Sequence, residues 1–200
     1  FISRSDTPKK VLIAGGGPAG MMAAQICARR GHSVILCEKS DHLGGRMLEA
    51  SALYAKDYHR RYLDWDIKTT QNCVSDIRLN TEVTKELVRE IQPDVLIAAI
   101  GAEYNIPAIP GIDQADYLTI TEADLKQKPI GHQVIFCGGG LSATECAIGL
   151  AKEGHECILI DRLPKEILLT ELMDSLNETL KTTCEEMGIR LYDQTELKEI

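Results

Sequence analysis

Small residues and a carboxylate recur twice along this chain at spacings suited to holding a phosphorylated ligand. Gly15, Gly17 and Gly20 precede Glu38, and Gly138, Gly140 and Ala143 precede Asp161. The first glycine of each set turns the chain out of a strand, the second lets the backbone approach a pyrophosphate, and Gly20 or Ala143 lets a helix pack closely on its strand. The helix N-terminus supplies unobstructed N–H groups and a partial positive charge, so the phosphates are held without a lysine. Glu38 and Asp161 follow about twenty residues later, where a carboxylate can accept hydrogen bonds from ribose hydroxyls. The combination reads as two dinucleotide sites, with slightly looser helix packing expected in the second because Ala143 replaces the third glycine.

The elements that must position these residues are themselves duplicated. Residues 11–39 lie over residues 134–162 at a constant offset of 123 with no gap, VLIAGGGPAGMMAAQICARRGHSVILCEK against VIFCGGGLSATECAIGLAKEGHECILIDR. Each copy predicts a buried strand (11–14, 134–137), a glycine turn, a helix (18–30, 141–153) closed by Gly31 or Gly154, and a second strand (33–37, 156–160). Such a unit joins parallel strands by a right-handed crossover. His32 and His155 also recur, but they follow the helix-ending glycines and are expected to be turn residues rather than catalytic bases. Glu145 is placed in the first turn of the second helix, where the dipole favours any acid and a cofactor contact is equally consistent.

Directly after the first unit, DHLGGR at 41–46 puts paired glycines and Arg46 either in an ordinary turn or close to the same ligand. Residues 54–72 have helical potential, include the single tryptophan Trp65, and carry no assigned chemistry. A short strand is expected at 76–80, a helix at 84–91, and a buried strand at 94–100 that ends at Gly101 and returns the chain to the first sheet. Pro107, Pro110 and Gly111 then make a stiff connection, which divides the chain into units 1–106 and 107–200. Leu169, Met173, Leu176, Leu180, Cys184 and Met187 recur at helical spacing as a core-facing stripe, Gly188 ends that helix, and 188–192 reads as a strand. The expected fold class is α/β, two Rossmann-like units with parallel sheets, the second cut short where the chain stops.

A formal charge of -8 disfavours nucleic-acid and anionic-membrane partners, and no apolar run reaches bilayer length, so a soluble, cytoplasmic protein is expected. The seven cysteines form no Cys-x-x-Cys, which argues against a disulfide framework, a zinc ribbon or a reactive pair. Cys37, Cys137 and Cys157 fall in strand-like runs and are expected to pack as small hydrophobes. No metal site and no catalytic acid, base or nucleophile stands out, and the absence of a Tyr-x-x-x-Lys pair disfavours a single-cofactor dehydrogenase.

With VLIAGGGPAGMMAA, GHSVILCEK, LGGR, DVLIAAIGA, IPG and GGGLSATECA in this order, the chain resembles the flavoproteins with two dinucleotide-binding domains. Within them it is most similar to the C-terminal part of NADH:flavin oxidoreductases related to 2,4-dienoyl-CoA reductase, enoate reductase and trimethylamine dehydrogenase. The resemblance implies FAD in the first site, with Gly15, Gly17, Pro18, Ala19 and Gly20 around its pyrophosphate and Glu38 on the ribose. It further implies Lys39, Gly45 and Arg46 along the cofactor, the Val83 backbone at the adenine, and Gly101 near the flavin. The second site would receive NADH, with Gly138, Gly140, Ala143 and Glu145 at its turn and Asp161 at the ribose; Asp161 repels a 2'-phosphate, while Arg162 keeps NADPH open. The implied activity is hydride transfer from NADH or NADPH to FAD and onward to an outside centre, with ADP as a purely structural occupant of the second site as the alternative. Where the family has Ala-Thr-Gly this chain has Ala99-Ile100-Gly101, which removes a hydroxyl. The family's closing Gly-Asp segment, its FMN barrel and its iron–sulfur cysteines are missing from these residues. The resemblance therefore implies a piece of a longer enzyme, whose FMN and iron–sulfur domain would be its partner.

Overall fold

Short apolar runs buried on both faces make the centre of a parallel sheet, and β1 (Lys10–Ala14) is such a run, with Leu12 and Ile13 fully inaccessible. The computed structural model describes residues 2–53, 56–169 and 173–200. It divides into two units, 1–104 and 105–200, each an α/β assembly on a parallel sheet, in accord with the expected Rossmann-like class.

In the first unit β1 is followed by α1 (Pro18–Arg29), β2 (Ser33–Cys37), α2 (Arg46–Ala50), α3 (Asp57–Cys73), β3 (Asp76–Arg78), α4 (Lys85–Ile91) and β4 (Val95–Ala98). The strands lie in the order β3-β2-β1-β4, all parallel. Pro18 opens α1, where its missing N–H costs nothing, and Gly31 follows the helix at φ +86°. The core joins Val11, Ile13, Val34 and Leu36 of the sheet to Met21 and Ala24 of α1 and Leu63 of α3. Each fully buried large aliphatic side chain contributes about 1.5–3 kcal/mol. Gln25 of α1 donates from Nε2 to Asp66 Oδ1 (2.6 Å) and Thr70 Oγ1 (2.9 Å) of α3, a buried polar tie between the two helices.

The second unit contains a 3-10 turn at Ile112–Gln114, α5 (Ile120–Asp124), β5 (Gln133–Cys137), α6 (Leu141–Lys152), β6 (Glu156–Ile160), α7 (Asp174–Glu186) and β7 (Arg190–Tyr192). Its parallel sheet runs β5-β6-β7. The duplication extends to the ladder: β1 and β2 pair from Lys10↔Ser33 to Ala14↔Cys37, and β5 and β6 pair from Gln133↔Glu156 to Cys137↔Ile160 at the same offset.

Several details differ from expectation. The strand at 94–100 is shorter and half-covered: β4 pairs with β1 alone among the described residues, Leu96 on its open face is 47% exposed, and Ile100, beyond its end, is 76% exposed. Cys137 is likewise exposed, at the end of β5, while Cys37 and Cys157 are buried as expected. The stripe from Leu169 fails at its start because α7 begins only at Asp174. Met173 and Leu176 are exposed, Leu169 is buried but outside the helix, and the inward face is carried by Asn177, Leu180, Cys184 and Met187. The glycine pair of 41–46 leads straight into the short helix α2, and both α2 and α5 lie where no element is expected. Thr119 and Glu122 form a reciprocal capping box at the start of α5, a signal visible in the sequence as Thr-x-x-Glu.

Candidate dinucleotide cradles

At the carboxyl end of β1 the chain reverses within three residues. Gly15 N–H donates to the Cys37 carbonyl (2.8 Å), which keeps the turn tied to β2, and its φ of +106° is one that L side chains rarely adopt. A Cβ at Gly15 would stand 2.2 Å from the Ala99 oxygen, and one at Gly20 only 1.8 Å from the Gly15 oxygen, so strand, turn and helix touch backbone to backbone. Gly17 is the N-cap of α1 and uses no side chain to cap it. The N–H groups of Ala19 and Gly20 therefore have no helical acceptors, as an anion-binding helix end requires.

Gly44 and Gly45 bring a second wall to this turn. Gly44 N–H donates to the Gly16 carbonyl (2.9 Å), and a Cβ on Gly45 would come within 2.9 Å of Gly17 Cα. Arg46, exposed, starts α2 from that wall, and Lys39 is exposed one residue beyond Glu38. Thr81 N–H donates to the Glu38 carbonyl (2.8 Å), which carries the half-buried Val83 to the same end of the sheet. Gly101, exposed at φ +72°, follows Ile100 at the exit of β4.

The two acids are already engaged within the fold. Glu38, 8% exposed, accepts from Gly16 N–H at 2.6 Å through Oε2, and from the N–H and hydroxyl of Ser40, both 2.9 Å, through Oε1. Asp161 repeats the arrangement, accepting from Gly139 N–H (2.6 Å) and Leu163 N–H (2.8 Å). Burial works to raise the Glu38 carboxyl, but the donors of Ser40 and Gly16 outweigh it and hold the group below the ordinary carboxylate range. Each carboxylate thus staples the middle glycine to the end of the second strand and keeps lone pairs for further donors.

In the second cradle Gly138 N–H donates to the Ile160 carbonyl (2.8 Å), and Gly140 is the uncapped N-cap of α6. The described residues leave the space around Gly138 and Gly140 open to 4 Å, unlike the crowded Gly15. Ala143 lies half-buried in the first turn of α6, and Arg162 is exposed beside the half-buried Asp161. Glu145 corrects an expectation: α6 starts at Leu141 with no acid in its first turn, so Glu145 is the fifth helical residue, beyond the reach of the dipole argument. The two repeated histidines are turn residues with opposite roles, His32 Nδ1 accepting from Lys9 N–H (3.1 Å) and His155 Nδ1 lying 2.8 Å from the Gly131 carbonyl oxygen, to which it donates.

The structure therefore gathers Gly15, Gly17, Pro18, Ala19, Gly20, Glu38, Gly45 and Arg46 around one turn and Gly138, Gly140, Ala143 and Asp161 around the other. Sequence reasoning missed Gly16, Gly139 and Ser40, although a glycine between the two named ones recurs in both copies. It also gave no role to Tyr104. Its ring lies 4.2 Å from the Arg46 guanidinium carbon, and its hydroxyl donates to Glu49 Oε2 at 3.3 Å. All seven cysteines are free, and burial pushes up every thiol with a resolved shift, which suits packing rather than redox chemistry. Among the described residues no cluster of His, Cys, Asp and Glu is arranged to hold a metal, and no helix is long and apolar enough to cross a membrane.

The profile of the family described as pyridine nucleotide-disulphide oxidoreductase matches residues 9–200. The cinnamate reductase of Clostridium sporogenes is 33% identical over 160 residues, covering 80% of this chain and 24% of that protein. The NADH oxidase of Thermoanaerobacter brockii is 33% identical over 166 residues, 81% of this chain and 26% of its own length. Bilirubin reductase of Mediterraneibacter gnavus is 30% identical over 199 residues, 100% of this chain and 31% of that one. Among solved structures, a 2-naphthoyl-CoA reductase superposes on the whole chain with a TM-score of 0.89 at 24% identity, over 30% of its length. The chain thus spans between 24% and 31% of the length of these relatives.

Proposed function

The chain belongs to the pyridine nucleotide-disulphide oxidoreductase family, and from that premise we propose that it is the module of a longer enzyme in which NADH reduces FAD. The observation that carries the reading is the pair of matched glycine turns, each followed by an uncapped helix N-terminus and closed by a carboxylate. FAD fits the first cradle on physical grounds: Gly15, Gly17 and Gly20 leave backbone rather than side chains at the surface of the turn, and the N–H groups of Ala19 and Gly20 are available to a pyrophosphate. When bound there, FAD would supply the redox chemistry that links a two-electron hydride donor to a centre outside these residues.

The chain's own residues bind and orient; none is required as an acid or base. Glu38 would take the adenosine ribose of FAD, with Gly45 and Arg46 closing over the phosphates, Val83 at the adenine and Gly101 towards the flavin. Gly138, Gly140 and Ala143 would hold the pyrophosphate of NADH, with Asp161 accepting from its ribose hydroxyls and repelling a 2'-phosphate. Arg162, exposed next to it, is the group through which NADPH would bind. An FMN and iron–sulfur domain in the same longer protein would receive the electrons, and the free thiols suit a reducing cytoplasm.

Anaerobic titration of the full-length protein with NADH tests the proposal. Bleaching of the visible flavin band is expected. Flavin that stays oxidised at saturating NADH, together with equal affinities for ADP and NADH, would replace hydride transfer by a structural nucleotide in the second cradle.

A further inference from the structure

The Arg46 side chain reaches from the Gly44–Gly45 wall of the first cradle to the segment that follows β4. Its backbone follows Gly45, which presses on Gly17, while its Nη2 donates to the Ala102 carbonyl (3.4 Å), three residues past the Ala99 oxygen that abuts Gly15. Two side chains restrain it. Glu49, one turn along α2, accepts from Nη1 at 3.0 Å, and the Tyr104 ring lies under the guanidinium with its centroid 4.2 Å from Cζ. Tyr104 also donates from its hydroxyl to the same Glu49 oxygen, 3.3 Å away, so the three groups close a triangle.

We propose that Tyr104 and Glu49 are positioning residues for the cofactor of the first cradle, holding the Arg46 guanidinium across the glycine turn as a directed hydrogen-bond donor to the phosphates. The proposal rests on the FAD reading above. A guanidinium carries five N–H donors, and the bonds to Glu49 and Ala102 engage two of them, which leaves donors for a ligand oxygen. Glu49 offsets the charge of Arg46, so the arginine acts less as a point charge than as a fork of fixed direction. An unrestrained arginine at an exposed helix start would lose its rotamer freedom when FAD binds; the Tyr104 face and the Glu49 carboxylate remove that freedom beforehand.

Equilibrium dialysis of FAD against the full-length apoprotein, in a double-mutant cycle, tests this. Tyr104→Leu is expected to raise the Kd for FAD about threefold or more, the scale of one cation–π contact. Tyr104→Phe, which keeps the ring under the guanidinium, should recover most of the affinity. In an Arg46→Ala background the same Tyr104→Leu change should alter the Kd by less than about twofold, because its effect passes through Arg46. Equal losses in both backgrounds, or no loss in the first, would overturn the proposal while leaving FAD in the cradle. A full-length parent protein that binds no FAD would overturn the cofactor reading and this inference with it.

Discussion

Removing the Glu38 carboxylate should destabilise the first unit even with no nucleotide present. In Glu38→Ala the Gly16 N–H and the Ser40 N–H lose their acceptor, while the Ser40 hydroxyl still has the His42 carbonyl 2.8 Å away. A hydrogen bond to a charged group is worth about 1.5–3 kcal/mol, and the Gly16 bond is buried enough to count nearly in full. Ser40 is half-buried, and water replaces much of what it loses, which puts the total at about 2–4 kcal/mol. Glu38→Gln keeps one acceptor oxygen but turns an amide donor towards the other N–H, and should fall between the two. Trp65, the single tryptophan, lies on α3, which packs against α1, so its fluorescence follows unfolding of this unit. With a urea m-value of about 1–3 kcal/mol/M, the Glu38→Ala midpoint should fall by about 1–2 M at neutral pH. The pH dependence has a definite sign. The folded carboxyl titrates below its ordinary value, so its contribution is complete above the unfolded pKa of about 4.3 and is lost as pH falls through the lower folded value. The gap between parent and variant should therefore shrink on acidification. Equal midpoints at neutral pH, or a gap that widens in acid, would refute the staple.

The two cradles carry two further expected outcomes. Gly15→Ala should cost more stability than Gly138→Ala, because both residues have φ above +100° but only the first would push a Cβ to 2.2 Å from backbone; urea denaturation that shows equal losses would contradict the close-approach argument. Asp161→Asn keeps an oxygen for Gly139 N–H but removes the charge that opposes a 2'-phosphate, so the ratio of kcat/KM for NADPH over NADH should rise about tenfold, equivalent to about 1.4 kcal/mol, in flavin-reduction assays of the full-length protein. An unchanged ratio would remove Asp161 from nucleotide selection.

Much of this architecture is legible in the sequence because chemistry and packing impose the same local pattern. The glycine turns, the helices from Pro18 and Leu141, and the paired strands are readable from a gapless repeat, and their ladders preserve its offset. The features that escape such a reading depend on partners distant in sequence. Nothing local to residues 94–100 announces that β4 has one strand beside it and an open face, and a helical period cannot reveal that α7 starts only at Asp174. The contact of Tyr104 with Arg46 joins residues far apart in sequence, and the staple from Glu38 to Gly16 uses a backbone donor that no side-chain pattern marks.

The unequal crowding of the two turns bears on how the molecule could be re-engineered. Around Gly15 and Gly20 an added carbon collides with main chain, so these two positions of the first cradle are locked to glycine. Gly140 has open space among the described residues, and its neighbour Ala143 already carries a methyl where the first copy has hydrogen. Libraries that aim to recode nucleotide preference therefore have room to vary in the second turn, while the first is best left untouched as the anchor for whatever is built next to it.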